Sequence, residues 1–339
     1  MTTSRAAYRL TFGCNSACVF CGQGEQSTEV EFDRAALEAL RAEHDALTFI
    51  GGEPTLDPAL VDRVALAREL GFESIGIQTN AQRFGEEPEL LARLAEAGLT
   101  DLQLSLHGPI AETHDYQTGR PGSFDQILDT FRAALKLGLT IVVVTVITRS
   151  NYRDLLRMPP LLKRHGVAAW LLEYVRPHGR AATGFARVVP RFGMALPWSL
   201  HAIQQARRHS LPAWIRGAPL CGLGPFAKLS LDDPPRTHVE VCAGCAAQPR
   251  CPGVDASYLE VFDASELRPV PAPQALALDS GRRRLVGMFV GVGELVDHEP
   301  VLYSDDARAK RAEEGSKHRR LPVLASTPTP APDSGSPES

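Results

Sequence analysis

Between residues 7 and 176 one pattern recurs: an apolar, β-branched run, a helical stretch, and a glycine where the helix stops. Strands are predicted at residues 8–12, 47–50, 74–78, 101–106, 140–147 and 169–174, which makes six. Helices end at Gly71, Gly98, Gly138 and Gly166, because glycine reaches the left-handed backbone that terminates a helix. Asp57 and Pro58 are predicted to cap and start the second helix. Phe124, Ile127, Leu128, Phe131 and Leu135 recur at helical spacing and predict one buried face. Alternation of this kind implies an α/β fold with parallel strands joined by right-handed crossovers. Periodicity alone allows an open doubly wound sheet or a curved partial barrel.

Directly after the first strand stand Cys14, Cys18 and Cys21, spaced C-x3-C-x2-C. A cubane iron-sulfur cluster has four irons, so three thiolates leave the fourth iron for a small molecule. Disulfides do not suit the set. There are 7 Cys, an odd number, and the sequence starts without the apolar segment of a secretory signal, so a reducing cytoplasm is expected. Structural zinc takes four ligands, and no further Cys or His precedes His44.

The triplet, with aromatic Phe20 directly before its third cysteine, resembles the signature of radical S-adenosylmethionine enzymes. Gly51-Gly52-Glu53-Pro54, after the second strand, matches that family's Gly-Gly-Glu-Pro run. The resemblance implies a partial (β/α)6 TIM-type barrel with the cofactor at the carboxyl ends of the strands, and it decides between the two sheet forms. It also implies a 4Fe-4S cluster on Cys14, Cys18 and Cys21, with S-adenosylmethionine on its open iron. The cluster's electron breaks the sulfonium bond, and the resulting 5'-deoxyadenosyl radical takes hydrogen from substrate. Anionic Glu53 suits the cofactor's ammonium group, and Gly51 and Gly52 let backbone approach it.

Other strand-end residues are assigned by position. Thr79 and Asn80 follow strand three, Ser105 ends strand four, and Thr148, Arg149 and Asn151 follow strand five. Polar groups there suit ribose hydroxyls or the cofactor's carboxylate, so Asn80, Ser105 and Arg149 join Phe20, Gly51, Gly52 and Glu53 as candidate cofactor-binding residues. Thr148 and Asn151 suit capping equally well. After strand four, His107, His114 and Asp115 lie in a polar loop at the same face; His107 and Asp115 are the candidate catalytic residues, while helix bracing is the competing role for His114 and Asp115. Arg176 suits an anion or a pair with Glu173.

Beyond Pro190, Pro197 and Pro212 come Cys221, Cys242, Cys245 and Cys251, the last three spaced C-x2-C-x5-C. Four thiolates fully ligate a second 4Fe-4S cluster, and tetrahedral zinc is the rival. Following a radical S-adenosylmethionine barrel, the spacing resembles the auxiliary-cluster extensions called SPASM and twitch. The longer SPASM pattern continues with a cysteine where Asp255 stands, so the resemblance implies one auxiliary cluster for electron transfer or support. All seven cysteines are then used. The expected divisions are a core at 1–190, the auxiliary extension at 191–270 with a helix over 256–262, an unassigned segment at 271–303 and a disordered, Pro- and Ser-rich tail at 304–339.

Composition excludes several classes. Lys plus Arg 36 against Asp plus Glu 40 gives net charge -4, with no basic field to recruit nucleic acid. No apolar run approaches bilayer length, so no membrane partner is expected. The remaining partners are a one-electron donor such as a flavodoxin or ferredoxin, and a peptide or small-molecule substrate. Only about a dozen residues precede Cys14, well below domain size, which argues against a preceding peptide-recognition domain. A non-catalytic iron-sulfur or zinc-binding redox module is the alternative from another class.

Overall fold

The computed structural model describes residues 5–22, 30–231, 236–271 and 283–289. Seven parallel strands form one sheet: β1 Arg5–Thr11, β2 Ala46–Gly51, β3 Ser74–Thr79, β4 Asp101–Ser105, β5 Thr140–Ile147, β6 Ala169–Tyr174 and β7 Ala213–Arg216. Their spatial order is their chain order, with β1 and β7 at the edges. Right-handed crossovers that always step the same way put every helix on one face. A doubly wound sheet would reverse its order about the first strand. The fold is therefore the curved, partial barrel.

Strand alternation supplies its two faces. Leu47, Phe49, Ile77, Leu102, Leu104, Val143, Trp170 and Leu172 point outward into the main core under the helices. The inward positions Val142, Val144, Ala169, Leu171 and Trp214 form a separate cluster with Leu231, Val286, Met288 and Phe289. Part of the segment left unassigned by the sequence thus packs on the inner face of β5 to β7, with Phe289 edge-on to Trp214 at 6.0 Å. At the amino end of the strands, Arg5 donates to both carboxylate oxygens of Asp101 at 3.1 and 3.0 Å and to Thr48 and Ser74. This buried pair ties β1 to β4 beneath the site.

β5 and β6 have the bounds expected of them, and Gly71, Gly98, Gly138 and Gly166 all take positive φ. Four expectations change. β7 was not anticipated, and it carries the sheet past residue 190. Pro197 marks no junction: it lies inside the helix Phe192–Arg208, whose Ile203 and Ala206 join the main core. The second helix spans Leu60–Glu69, because Pro54–Leu56 first forms a tight turn and the Asp57 side chain accepts from Ala59 N–H. On the helix Ser123–Lys136, Thr130 and Ala134 complete the buried face, while Leu135, at the edge of the stripe in the last turn, is 45% exposed. The predicted tail at 304–339 lies outside the described residues. Among the described residues, no helix is long and apolar enough to cross a membrane.

Candidate functional site

The triplet loop leaves β1 at the carboxyl edge of the sheet and is clamped from three sides. Gly52 N–H donates to Thr11 O and Glu53 N–H to Gly13 O, each at 2.8 Å. A Cβ on Gly51 would lie 2.5 Å from Thr11 O, and one on Gly52 would lie 2.2 Å from Gly13 O. Both glycines are thus demanded by contact with the triplet loop itself. On the other side, the helix Ala111–Thr118 presents its last carbonyls, which have no partner within a helix. Ala17 and Val19 N–H groups take up Thr118 O and Gln117 O at 3.0 Å. Arg180 N–H holds Cys21 O at 2.9 Å.

Cys14 is exposed and Cys18 and Cys21 are half-buried. Burial first, then the neighbouring Cys14 and Cys21, pushes the Cys18 thiol up to about 12. As thiolates they would need positive charge between them, which a metal centre would supply.

Glu53 is 1% exposed, and four bonds hold its carboxylate. Oε1 accepts from Thr55 N–H at 3.1 Å, Thr55 Oγ1 at 2.7 Å and Thr79 Oγ1 at 2.6 Å; Oε2 accepts only from Asn80 N–H at 2.7 Å. Burial raises its pKa and the hydrogen bonds oppose the rise. Among the described residues no Lys, Arg or His pairs with it. Oε2 keeps a free acceptor position for a cation.

Asn80 joins this carboxylate to the triplet loop. Its Nδ2 donates to Asn15 Oδ1 at 2.7 Å and Ser16 Oγ at 3.1 Å, and lies 3.8 Å from Cys14 Sγ. Gln82 adds a bond to Ser16 Oγ at 2.5 Å. The sequence reading passed over Thr55, Ser16 and Gln82. Thr55 was detectable, since a hydroxyl two residues after Glu53 sits where side-chain-capped turns place one.

Phe20 lies edge-on to His107, ring centres 4.5 Å apart, and Ser105 ends β4 beside them, half-buried. His107 is buried, and burial first, then His114, lowers its pKa well below the ordinary histidine value. Val146 N–H donates to its Nδ1 at 3.2 Å, so the neutral ring carries its proton on Nε2. His114 accepts from His107 N–H at 3.1 Å, and burial brings its pKa down to about 4.

Two candidates have other tasks. Asp115 accepts from Gly122 N–H, Ser123 Oγ and Phe124 N–H at 2.6 to 2.9 Å, so it caps the helix Ser123–Lys136 instead of facing a substrate. Exposed Arg149 donates to Ala186 O at 2.8 Å and braces the chain after β6. Thr148 and Asn151 knit the turn after β5, Asn151 Nδ2 reaching His107 O and Val146 O at 2.8 Å. Arg176 pairs with Glu173 at 4.0 Å, and Arg216 of β7 pairs with the same carboxylate at 2.8 Å.

The other four cysteines, all half-buried, line one cleft with about 360 Å³ of empty space, part of it open to solvent. His238, Val254, Leu267 and Arg268 are among the residues that line it with them. Cys221 arrives from the turn after β7 and Cys242, Cys245 and Cys251 from the loop that follows. Asp255, at the position of the longer pattern's next cysteine, forms an ion pair with Arg236 at 3.4 Å and lies 3.5 Å from His178 Nε2. The helix Ala256–Phe262 anchors this region: Tyr258 stacks on Phe192 at 4.2 Å and accepts its N–H at 2.8 Å.

Residues 8–158 match the family model of the Radical SAM superfamily. The chain is 28% identical over 194 residues to the AdoMet-dependent heme synthase of Oleidesulfovibrio alaskensis, covering 54% of this chain and 48% of that protein. It is 33% identical over 193 residues to the mycofactocin maturase MftC of Mycobacterium tuberculosis, covering 54% and 47%. The chain thus spans about half the length of the curated relatives it matches. Its fold resembles that of Streptococcus suis SuiB in the crystal structure with bound S-adenosylmethionine, at TM-score 0.51, 16% identity, and coverage of 64% of this chain and 51% of that one.

Proposed function

From a Radical SAM superfamily domain at residues 8–158, we propose that this protein is an enzyme that binds a 4Fe-4S cluster on Cys14, Cys18 and Cys21 and cleaves S-adenosylmethionine to start hydrogen abstraction from a peptide or small molecule. One observation carries the reading: the three-thiol loop and the buried Glu53 carboxylate belong to a single hydrogen-bond network through Gly13, Asn15, Ser16 and Asn80. A buried anion with no cation beside it among the described residues suits a cationic ligand, and the ammonium group of S-adenosylmethionine is one. The chemistry supplied by the bound cluster is one-electron cleavage of the sulfonium bond to methionine and a 5'-deoxyadenosyl radical.

The chain's own residues do the positioning. Asn80 holds Glu53 and the triplet loop at a fixed separation, and Thr55 and Thr79 keep the carboxylate aimed. Phe20 and His107 wall the space above β4, with His107 Nε2–H as a neutral hydrogen-bond donor. Ser105 offers a hydroxyl on the same rim.

Cys221, Cys242, Cys245 and Cys251 are proposed to hold a second 4Fe-4S cluster that passes electrons from the reaction. Their shared cleft supports it. Tetrahedral zinc on the same four thiols is the rival reading. A flavodoxin or ferredoxin is the proposed electron donor. Relatives named as a maturase, a heme synthase and a probable GTP 3',8-cyclase support radical chemistry and leave the substrate class broad.

The test is anaerobic reconstitution followed by S-adenosylmethionine and dithionite. 5'-Deoxyadenosine and methionine are expected, and Cys18→Ala is expected to produce neither. A fully iron-loaded wild-type protein that makes no 5'-deoxyadenosine refutes the reading and favours the non-catalytic redox module.

A further inference from the structure

We infer that the strap formed by residues 267–270 sets the electron affinity of the four-cysteine site, donating a backbone N–H bond to the Cys245 sulfur and so raising the reduction potential of the cluster these cysteines hold. Val270 N–H donates to Cys245 Sγ at 3.2 Å. The return bond, from Ala246 N–H to Val270 O at 2.9 Å, closes a small ring that fixes this geometry.

The strap is stiff. Pro269 stands directly before the donor, offers no N–H of its own, and restricts the backbone of Arg268. Leu267 and Val270 are buried, Leu267 N–H bonds Ala264 O at 3.0 Å, and Arg268 Nη1 grips Ser265 O at 2.6 Å. Reduction of a 4Fe-4S cluster adds one electron and no proton, and the added charge spreads over its sulfurs. A fixed N–H dipole aimed at a sulfur stabilises the reduced form more than the oxidised one. Burial strengthens the effect.

The inference rests on the reading that these four cysteines hold a cluster, and the experiment separates the two. Reconstituted wild-type, Val270→Pro and Val270→Ala proteins are titrated electrochemically under anaerobic conditions, with reduced-cluster signals read by electron paramagnetic resonance and iron counted in each. Val270→Pro removes the N–H; Val270→Ala keeps it. The expected result is about eight irons in all three. The reduction constant of the four-cysteine cluster should fall about tenfold in Val270→Pro alone, ~59 mV for a one-electron couple.

An unchanged midpoint in a fully loaded Val270→Pro protein overturns the inference, as does an equal shift in Val270→Ala. Four irons and one zinc in the wild type overturn the cluster reading and the inference with it. Should Val270→Pro fail to load, the wild type still decides: after exchange into deuterated water, pulsed resonance of the reduced four-cysteine cluster should detect strongly coupled deuterons at hydrogen-bond distance from sulfur. Their absence overturns the inference.

Discussion

Glu53 shows how one residue's surroundings define its work. Its carboxylate is buried, bonded at both oxygens and, among the described residues, beside no Lys, Arg or His, which suits the cationic ligand proposed for it. Glu53→Gln keeps the shape and removes the charge. A charge-assisted bond contributes about 1.5–3 kcal/mol, so S-adenosylmethionine should bind roughly tenfold to a hundredfold more weakly by equilibrium dialysis while the iron content stays at the wild-type value. His114 makes a pH prediction. Its folded pKa is lowered to about 4 from an ordinary value near ~6.5, so the unfolded chain binds more protons between those values and stability falls as pH drops through that window. The loss approaches about 1.4 kcal/mol per pH unit at the middle, and it levels off once the folded protein also protonates. Denaturant melts from pH 7 to 4 should show this slope, and His114→Gln should flatten it. Triplet and glutamate were legible in the sequence because their spacing is unusual. Asp115 and Arg149 were not, since the polar side chains that suit a ligand are the ones that cap helices and bind carbonyls, and only the positions of Gly122, Phe124 and Ala186 tell the two uses apart.

At the scale of elements, the barrel is pinned by the Arg5–Asp101 pair, 8% and 4% exposed. Removing one partner of a buried pair strands the other charge and costs about 3–5 kcal/mol. Asp101→Ala is therefore expected to lower the urea midpoint strongly, whereas Asp129→Ala, which breaks a pair exposed at 62% on both sides, should change stability by less than about 1 kcal/mol. β3 to β6 were readable because each follows a helix and a terminating glycine, and β1 and β2 because each runs into a motif-bearing loop. β7 escaped because it has only four residues, follows Pro212, and comes after a helix whose interior Pro197 imitates a break. That helix tolerates the proline because only its bond to Gly193 O is lost. The inner-face cluster was equally hidden, since Met288 and Phe289 are distant in sequence from β5 to β7 and no local pattern records the contact.

For the whole molecule, the seven cysteines divide into a three-thiol loop joined to Glu53 and a four-thiol cleft held by β7, the Tyr258 stack and the strap. The division was countable in the sequence; the structure adds that Cys221 joins Cys242, Cys245 and Cys251 across the fold, and that Asp255 is an ion-pair partner at the position of a further cysteine. Loss of one thiol should therefore empty one site only, Cys245→Ala retaining about four irons and its capacity to cleave S-adenosylmethionine. The central claim is that the open site alone receives the cofactor. Electron paramagnetic resonance of the reduced, reconstituted protein with and without S-adenosylmethionine tests it most directly. The account predicts two cluster signals, of which only the one missing from Cys18→Ala shifts on adding the cofactor. A spectrum indifferent to S-adenosylmethionine, or a shift in the signal that survives Cys18→Ala, would contradict it.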